Sequence, residues 1–219
     1  MKNSEIFLSD NSIAIELIRK YDYPYMVLKY IKDFIVETGN KLSSEYIKTG
    51  EDIWIHNSAK VAPTASITGP AIIDEGAEIR QCAFIRGGVI VGKNSVLGNS
   101  CEMKNAILFD NVQVPHFNYV GDSILGYKSH MGAGSITSNV KSDRTNVVMK
   151  CQGGEIETGL KKVGAFLGDG VEVGCNSVLN PGTIIGPNSN IYPLTSVRGE
   201  IPANSIVKAM DNIIKKRGF

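Results

Sequence analysis

The aliphatic residues of this chain repeat every six positions. Ile55, Val61, Ile67, Ile73, Ile79, Ile85, Val91, Leu97 and Met103 follow one another at that step without a break. The phase slips by one residue and resumes at Leu108, Val114 and Val120, then slips again to Leu125 and Met131. After an interruption it returns at Leu167, Val173, Leu179, Ile185, Ile191 and Val197. Neither the period of a helix nor the alternation of an ordinary strand accounts for this spacing. Six residues suffice for a short strand and a corner, with the aliphatic residue pointing inward. Gly, Asn, Asp and Pro fall between the aliphatics, in VGKNSVLGNS, LGDGVEVGCNS and IGPNSNIYP, where a corner needs positive φ or a preset turn. The period predicts a mainly β solenoid whose coils bury their faces only against neighbours, so that the end coils need covers.

Composition narrows the function. The 23 glycines show no three-residue period, which excludes collagen. With 23 basic and 22 acidic residues, the formal charge of +1 provides no field for a phosphate polymer, so no nucleic-acid partner is expected. No run approaches the roughly 18 apolar residues of a membrane span. The opening MKNSEIFLSD lacks an apolar core of the secretory kind, so no membrane partner and a cytoplasmic location are expected. Cys82, Cys101, Cys151 and Cys175 form no CxxC pair, which argues against zinc ribbons and thioredoxin chemistry.

Along the chain, residues 1–50 read as a helical segment, 51–207 as the solenoid and 208–219 as a strand end with a short basic tail. SDNSIAIELIRKY offers Ser9, Asp10 or Asn11 as helix N-caps, and YPYMVLKYIKDFIVETGN places Pro24 near a helix start and Gly39 at its stop. Two helices are expected, with Val27, Ile31, Phe34 and Ile35 packing on the first coils or on a neighbouring subunit. The repeat breaks at about 139–162, through KSDRTNVVMK and QGGEIETGLKK. This stretch is expected to protrude as a loop, with an irregular pair of coils as the alternative.

Two cations stand at equivalent places. Arg86 follows the inward Ile85, and Lys104 follows the inward Met103. If a coil takes eighteen residues they stack about 4.8 Å apart, where like charges repel. An anion between them, Glu102 or a ligand phosphate, relieves this; the alternative is two splayed surface cations. The segment VPHFNYVGDSILGYKSHMGAGSITSN carries His116 and His130, and an imidazole is the side chain suited to take a proton near neutral pH.

The six-residue spacing resembles that of the hexapeptide-repeat acyltransferases, which implies a left-handed parallel β-helix with three hexapeptides to a coil. Zinc carbonic anhydrases of that fold use a histidine pair five residues apart, and His56, His116 and His130 offer none, so no metal is expected. FIRGGVIVGKNSVLGNSCEMKNA, VPHFNYVGDSILG and HMGAGSITSN resemble the acetyltransferase domain of the bifunctional glucosamine-1-phosphate acetyltransferase/uridylyltransferase family. The shared features are an Arg, Asn-x-x-Glu-Met-Lys, His-x-x-Tyr-x-Gly-Asp and Gly-Ala-Gly-Ser-Ile-Thr-x-Asn. The resemblance spans roughly residues 50–205 and is closest over 84–139.

That resemblance implies His116 as general base, with Arg86 and Lys104 on a sugar phosphate and Tyr119 on the sugar. It also implies Ala133 and Asn139 at the acetyl-CoA end, and a homotrimer with sites between subunits. Acyl transfer needs no metal, because CoA brings the activated acyl group. There are departures. His130 replaces an asparagine that contacts the sugar, and Cys175 replaces a serine on the CoA path. An arginine near the CoA phosphate falls at about Met210, with Lys208 or Lys215 as substitutes. The first fifty residues hold no Leu-x-x-Gly-x-Gly-Thr-type motif and are too few for a nucleotide-binding sheet, so uridylyl transfer is not expected. The expected function is acyl-CoA-dependent N-acylation of an amino sugar phosphate or nucleotide-linked amino sugar. The alternatives are a non-catalytic binding homologue and a structural trimer.

Overall fold

The computed structural model describes residues 1–216, so the last three residues of the basic tail, 217–219, lie outside the described residues. The aliphatic ladder lines the interior of a parallel β-solenoid with three faces. On the first face Ile55 pairs with Ile73 and Ile73 with Val91; on the second Val61 pairs with Ile79 and Ile79 with Leu97; on the third Ile67 pairs with Ile85 and Ile85 with Met103. The mainly β solenoid read from the period and the eighteen-residue coil implied by the resemblance are therefore observed.

The corners explain the polar residues. After the first face, Gly76, Asn94, Asn111, Lys128, Gly170, Asn188 and Asn204 all have positive φ. That conformation suits Gly and Asn best. After the second face the same conformation falls on Cys82, Ser100, Phe117, Gly134, Asn176 and Leu194. Phe117 and Leu194 adopt it at a cost of about 1–2 kcal/mol each, and both rings or branches stand in solvent.

The corner after the third face accounts for the slips in phase. Ile85 reaches Val91 through Gly87 and Gly88, both with positive φ. In the next coil Met103 reaches Leu108 through Asn105 alone, and in the following one Val120 reaches Leu125 through Asp122 alone. Strand order runs straight through these tight corners, in Glu102–Leu108 and Tyr119–Leu125. Leu108 accordingly pairs with Val91 and Leu125 with Leu108. In the coil after that, the interruption of the repeat leaves from the same corner. It was expected to protrude as a loop; instead Val148–Cys151 and Gly154–Glu157 form an antiparallel hairpin. Val147 and Met149 are buried, each with a side-chain carbon 3.0 Å from where a side chain at Gly182 would begin. The hairpin thus docks on the coil beyond.

At each end of the solenoid one face is closed by an antiparallel strand, Tyr46–Gly50 on Ile53–His56 and Asn212–Lys215 on Ser205–Ala209. This blunts those two edges against pairing with another chain.

The N-terminal segment covers a flank rather than an end. Ile72, Ile90, Ile107, Ile124, Phe166 and Ile184 alternate with the inward ladder of the first face and so point outward, yet all are buried. The segment lies over them as a strap made of α1 (Asn3–Ile6), α2 (Ile15–Arg19), a 3-10 turn (Pro24–Tyr30) and α3 (Ile31–Gly39). The first expected helix is capped at Ala14 rather than Ser9, Asp10 or Asn11, and the second is a 3-10 turn running into α3. Phe7 stacks on Phe109 with ring centroids 5.0 Å apart. At the other end the Trp54 indole fills the space a side chain on Gly39 would take. Asp169 pins the strap near its start, its carboxylate accepting from the Ser9 N–H at 2.7 Å and the Tyr127 N–H at 3.0 Å. Burial pushes the Asp169 carboxyl above the ordinary range.

Candidate active site

The motif residues converge on the third face and its two corners. Ladder alternation places Phe84, Glu102 and Tyr119 in one outward column, since Glu102 pairs with both of the others. Arg86 and Lys104 fall in the next column, followed by Gly121. The cations therefore stack one coil apart, and Glu102 takes up Arg86, whose Nη1 donates to Glu102 Oε1 at 2.6 Å. The Glu102 carboxylate holds the guanidinium above its ordinary pKa. Lys104 has no ion pair among the described residues, so it is the cation left open to a ligand.

His116 ends the strand Gln113–His116 at the corner entering this face, and its side chain is exposed. Its backbone is fixed from both sides. The His116 N–H donates to Asn118 Oδ1 at 3.0 Å, and its carbonyl accepts from the Gly134 N–H at 3.0 Å. Asn118 is buried inside the corner and donates through Nδ2 to the carbonyls of Gly132 at 2.8 Å and Ser135 at 2.9 Å. The imidazole is thus carried on a rigid bend while remaining free to meet a substrate, as a general base requires.

Tyr119 lies along its own strand. A side chain at Gly121 would overlap the tyrosine hydroxyl and ring edge, so glycine lets the ring lie flat there. The ring reaches the far corner, where Asn139 Nδ2 donates to the hydroxyl at 3.2 Å. The same Nδ2 donates to Asp122 Oδ2 at 2.6 Å, and Asn105 Nδ2 donates to Asp122 Oδ1 at 2.9 Å. Asp122 is buried, and each of its oxygens has an amide donor. Burial, then the Asp122 charge, raises the Tyr119 phenol above its ordinary pKa. Because the phenol accepts from Asn139 and keeps its own proton, it has one O–H to give to a ligand.

The residues expected at the acetyl-CoA end separate. Ala133 and Cys175 continue the corner of His116 on the next two coils, since Gln113 pairs with His130 and Met131 with Val173. Cys175 is exposed and free. Asn139 instead joins Tyr119 at the opposite corner. His130 is not brought to His116 within this chain. It opens a second-face strand, and its Nδ1 lies 2.8 Å from Glu172 Oε2. Met210, Lys208 and Lys215 sit on the last coil, Lys208 with its ammonium 5.9 Å from the Tyr192 ring centroid. His56 is buried at the start of the solenoid, beside Ser58 Oγ at 2.8 Å. Among the described residues no group of three or more His, Cys, Asp and Glu side chains is placed to hold a metal ion. The motif blocks contain Asn118, Asp122 and Gly121, but the spacing gave them no role. An asparagine between apolar positions at a corner was the available signal.

Residues 67–191 match the model of the GMPPB C-terminal domain family. The chain belongs to that family. It is 34% identical over 180 residues to the bifunctional protein GlmU of Methanococcus maripaludis, covering 73% of this chain and 44% of that protein. It is 31% identical over 168 residues to the bifunctional sugar-1-phosphate nucleotidylyltransferase/acetyltransferase of Sulfurisphaera tokodaii, covering 68% of this chain and 42% of that protein. The chain spans less than half the length of these relatives. The structure of the polySia-specific acetyltransferase NeuO shares the fold, with a TM-score of 0.51 at 14% identity over 77% of this chain and 78% of that one. The resemblance read from the motif blocks, to hexapeptide-repeat left-handed β-helix acyltransferases of the GlmU kind, therefore holds. No helix among the described residues is long and apolar enough to cross a membrane.

Proposed function

We propose that the chain is an acyl-CoA-dependent N-acyltransferase, using acetyl-CoA to acylate the amino group of a phosphorylated or nucleotide-linked amino sugar. The observation that carries this reading is that the motif residues lie along one face of the solenoid and its corners. His116 stands at the corner entering the face, Tyr119 lies along it, and Lys104 and Arg86 stand toward its far end. In this reading His116 takes a proton from the sugar ammonium or from the attacking amine as nitrogen bonds to the thioester carbonyl carbon. The tetrahedral intermediate then expels CoA as thiolate, which leaves with the proton held by His116. Tyr119 donates its O–H to the sugar and Lys104 meets a phosphate. The acyl group enters along the Ala133–Cys175 corner, and a second copy in a homotrimer completes the site.

The test is release of free thiol from acetyl-CoA with a panel of amino sugar phosphates and nucleotide-linked amino sugars. The reading expects turnover with one of these and none with the corresponding N-acetylated sugars; no turnover across the panel contradicts it. A second reading, a binding homologue without turnover, is favoured by the exposed Cys175 on the CoA path and by Met210. It predicts calorimetric binding of a sugar phosphate with no binding of acetyl-CoA.

A further inference from the structure

Outside the tight corner lies a cavity of about 310 Å³, lined by Asn105 and Asp122, by Leu28 and Lys29 of the strap, and by Leu160, Lys161 and Lys162 from the end of the insertion. Its volume is at the lower end of the roughly 300–1,000 Å³ of small-molecule sites. The three lysines come from chain segments far apart in sequence, and all three are exposed. Lys32 of α3 runs its stem beside them, its Cγ 3.2 Å from the place of a side chain at Gly88, next to Asn105. None of these four lysines belongs to an ion pair among the described residues, whereas Lys2, Lys41, Lys48, Lys93, Lys141 and Lys150 all do. Asp122 is the one carboxylate in the cavity wall, against three lysines. The cations outnumber the counter-charge, and that excess favours a bound anion.

The cavity adjoins the acceptor cations, because Asn105 directly follows Lys104, one coil beyond Arg86. Lys104, the cation that Glu102 leaves open, answers to one phosphate; the lysines over the corner answer to a second one bonded to it. We infer that this cleft holds the diphosphate of a nucleoside-diphosphate-linked acceptor, which rests on the acceptor side being read as above and makes a sugar nucleotide, rather than a sugar monophosphate, the substrate. CoA also carries a pyrophosphate. The Ala133–Cys175 corner lies at the other end of the face, about 10 Å away at 3.3 Å per residue from Tyr119 to Asp122, so the cleft is assigned to the acceptor.

Calorimetric titration with inorganic pyrophosphate, inorganic phosphate, uridine diphosphate and CoA tests the assignment on the wild type, Lys161→Ala/Lys162→Ala and Lys29→Ala. The expected result is that pyrophosphate and uridine diphosphate bind more tightly than phosphate and lose about tenfold in affinity in the double variant, a change of about 1.4 kcal/mol. They should lose a smaller factor in Lys29→Ala, while CoA binding stays within twofold. Unchanged pyrophosphate affinity in the double variant overturns the inference. So does a loss confined to CoA, which would give the cleft to the acyl donor. Lysine-dependent pyrophosphate binding without thiol release on any acceptor upholds the cleft and overturns only the catalytic reading.

Discussion

At the scale of single residues, the site depends on side chains held by other side chains. Tyr119 presents a phenol whose raised pKa keeps it protonated through neutral and mildly alkaline pH, which suits the donor role proposed for it. Replacing it with Phe removes the O–H and leaves the ring over Gly121. The expected outcome is an acceptor KM raised about tenfold, with kcat changed far less and the pH–rate profile unaltered in shape, since the phenol does not titrate there. Asp122 acts one step back, by turning Asn139 toward the hydroxyl. In Asp122→Asn one of the facing amides meets another amide, leaving a buried donor unpaired at a cost of about 1–3 kcal/mol. Urea denaturation should read that loss, and the acceptor KM should rise with it. Arg86 shows where residue-level reading stopped short. The sequence offered Glu102 or a ligand as the anion between the cations, and the carboxylate took one cation only.

At the scale of elements, the strap shows what a repeat cannot announce. The six-residue period records the inward ladder, but Ile72, Ile90, Ile107 and Ile124 are outward residues whose burial requires a cover. Helical spacing in residues 9–38 revealed apolar stripes without saying which face they meet. The caps were misplaced because the segment follows the solenoid surface, and this contact set the helix ends. Asp169 ties the two together and makes its contribution pH-dependent. Its folded carboxyl pKa lies above the unfolded value, so the native state holds the extra proton. The associated stability is fully present below about pH 3.9 and is lost as pH rises through the folded pKa. Asp169→Asn cannot ionise, so its melting temperature should gain relative to wild type as pH rises through that window. Parallel curves from acid to neutral pH would show that the pinned carboxylate carries no linkage.

At the scale of the whole molecule, the solenoid and its inward ladder were legible because each coil repeats the same packing problem, and the family was legible in the spacing and the motif blocks. The place of the candidate site was marked in a less direct way. The two slips in phase are the two tight corners, at Asn105 and Asp122, and the interruption leaves from the same corner one coil later. Irregularities in the repeat thus gather where the third face meets the strap and the hairpin. What stayed hidden was how segments distant in sequence come together, such as Lys29, Lys161 and Lys162 around one cavity, and His130 with Glu172. The central claim is that His116, on its rigid bend, is the base for acyl transfer. The most direct test is thiol release from acetyl-CoA by His116→Ala with an acceptor the wild type uses. Because the imidazole is exposed and only the backbone of this residue is held, circular dichroism and melting temperature should match the wild type while the rate falls by about 10²–10⁴. A folded His116→Ala protein that turns over at the wild-type rate would contradict the account.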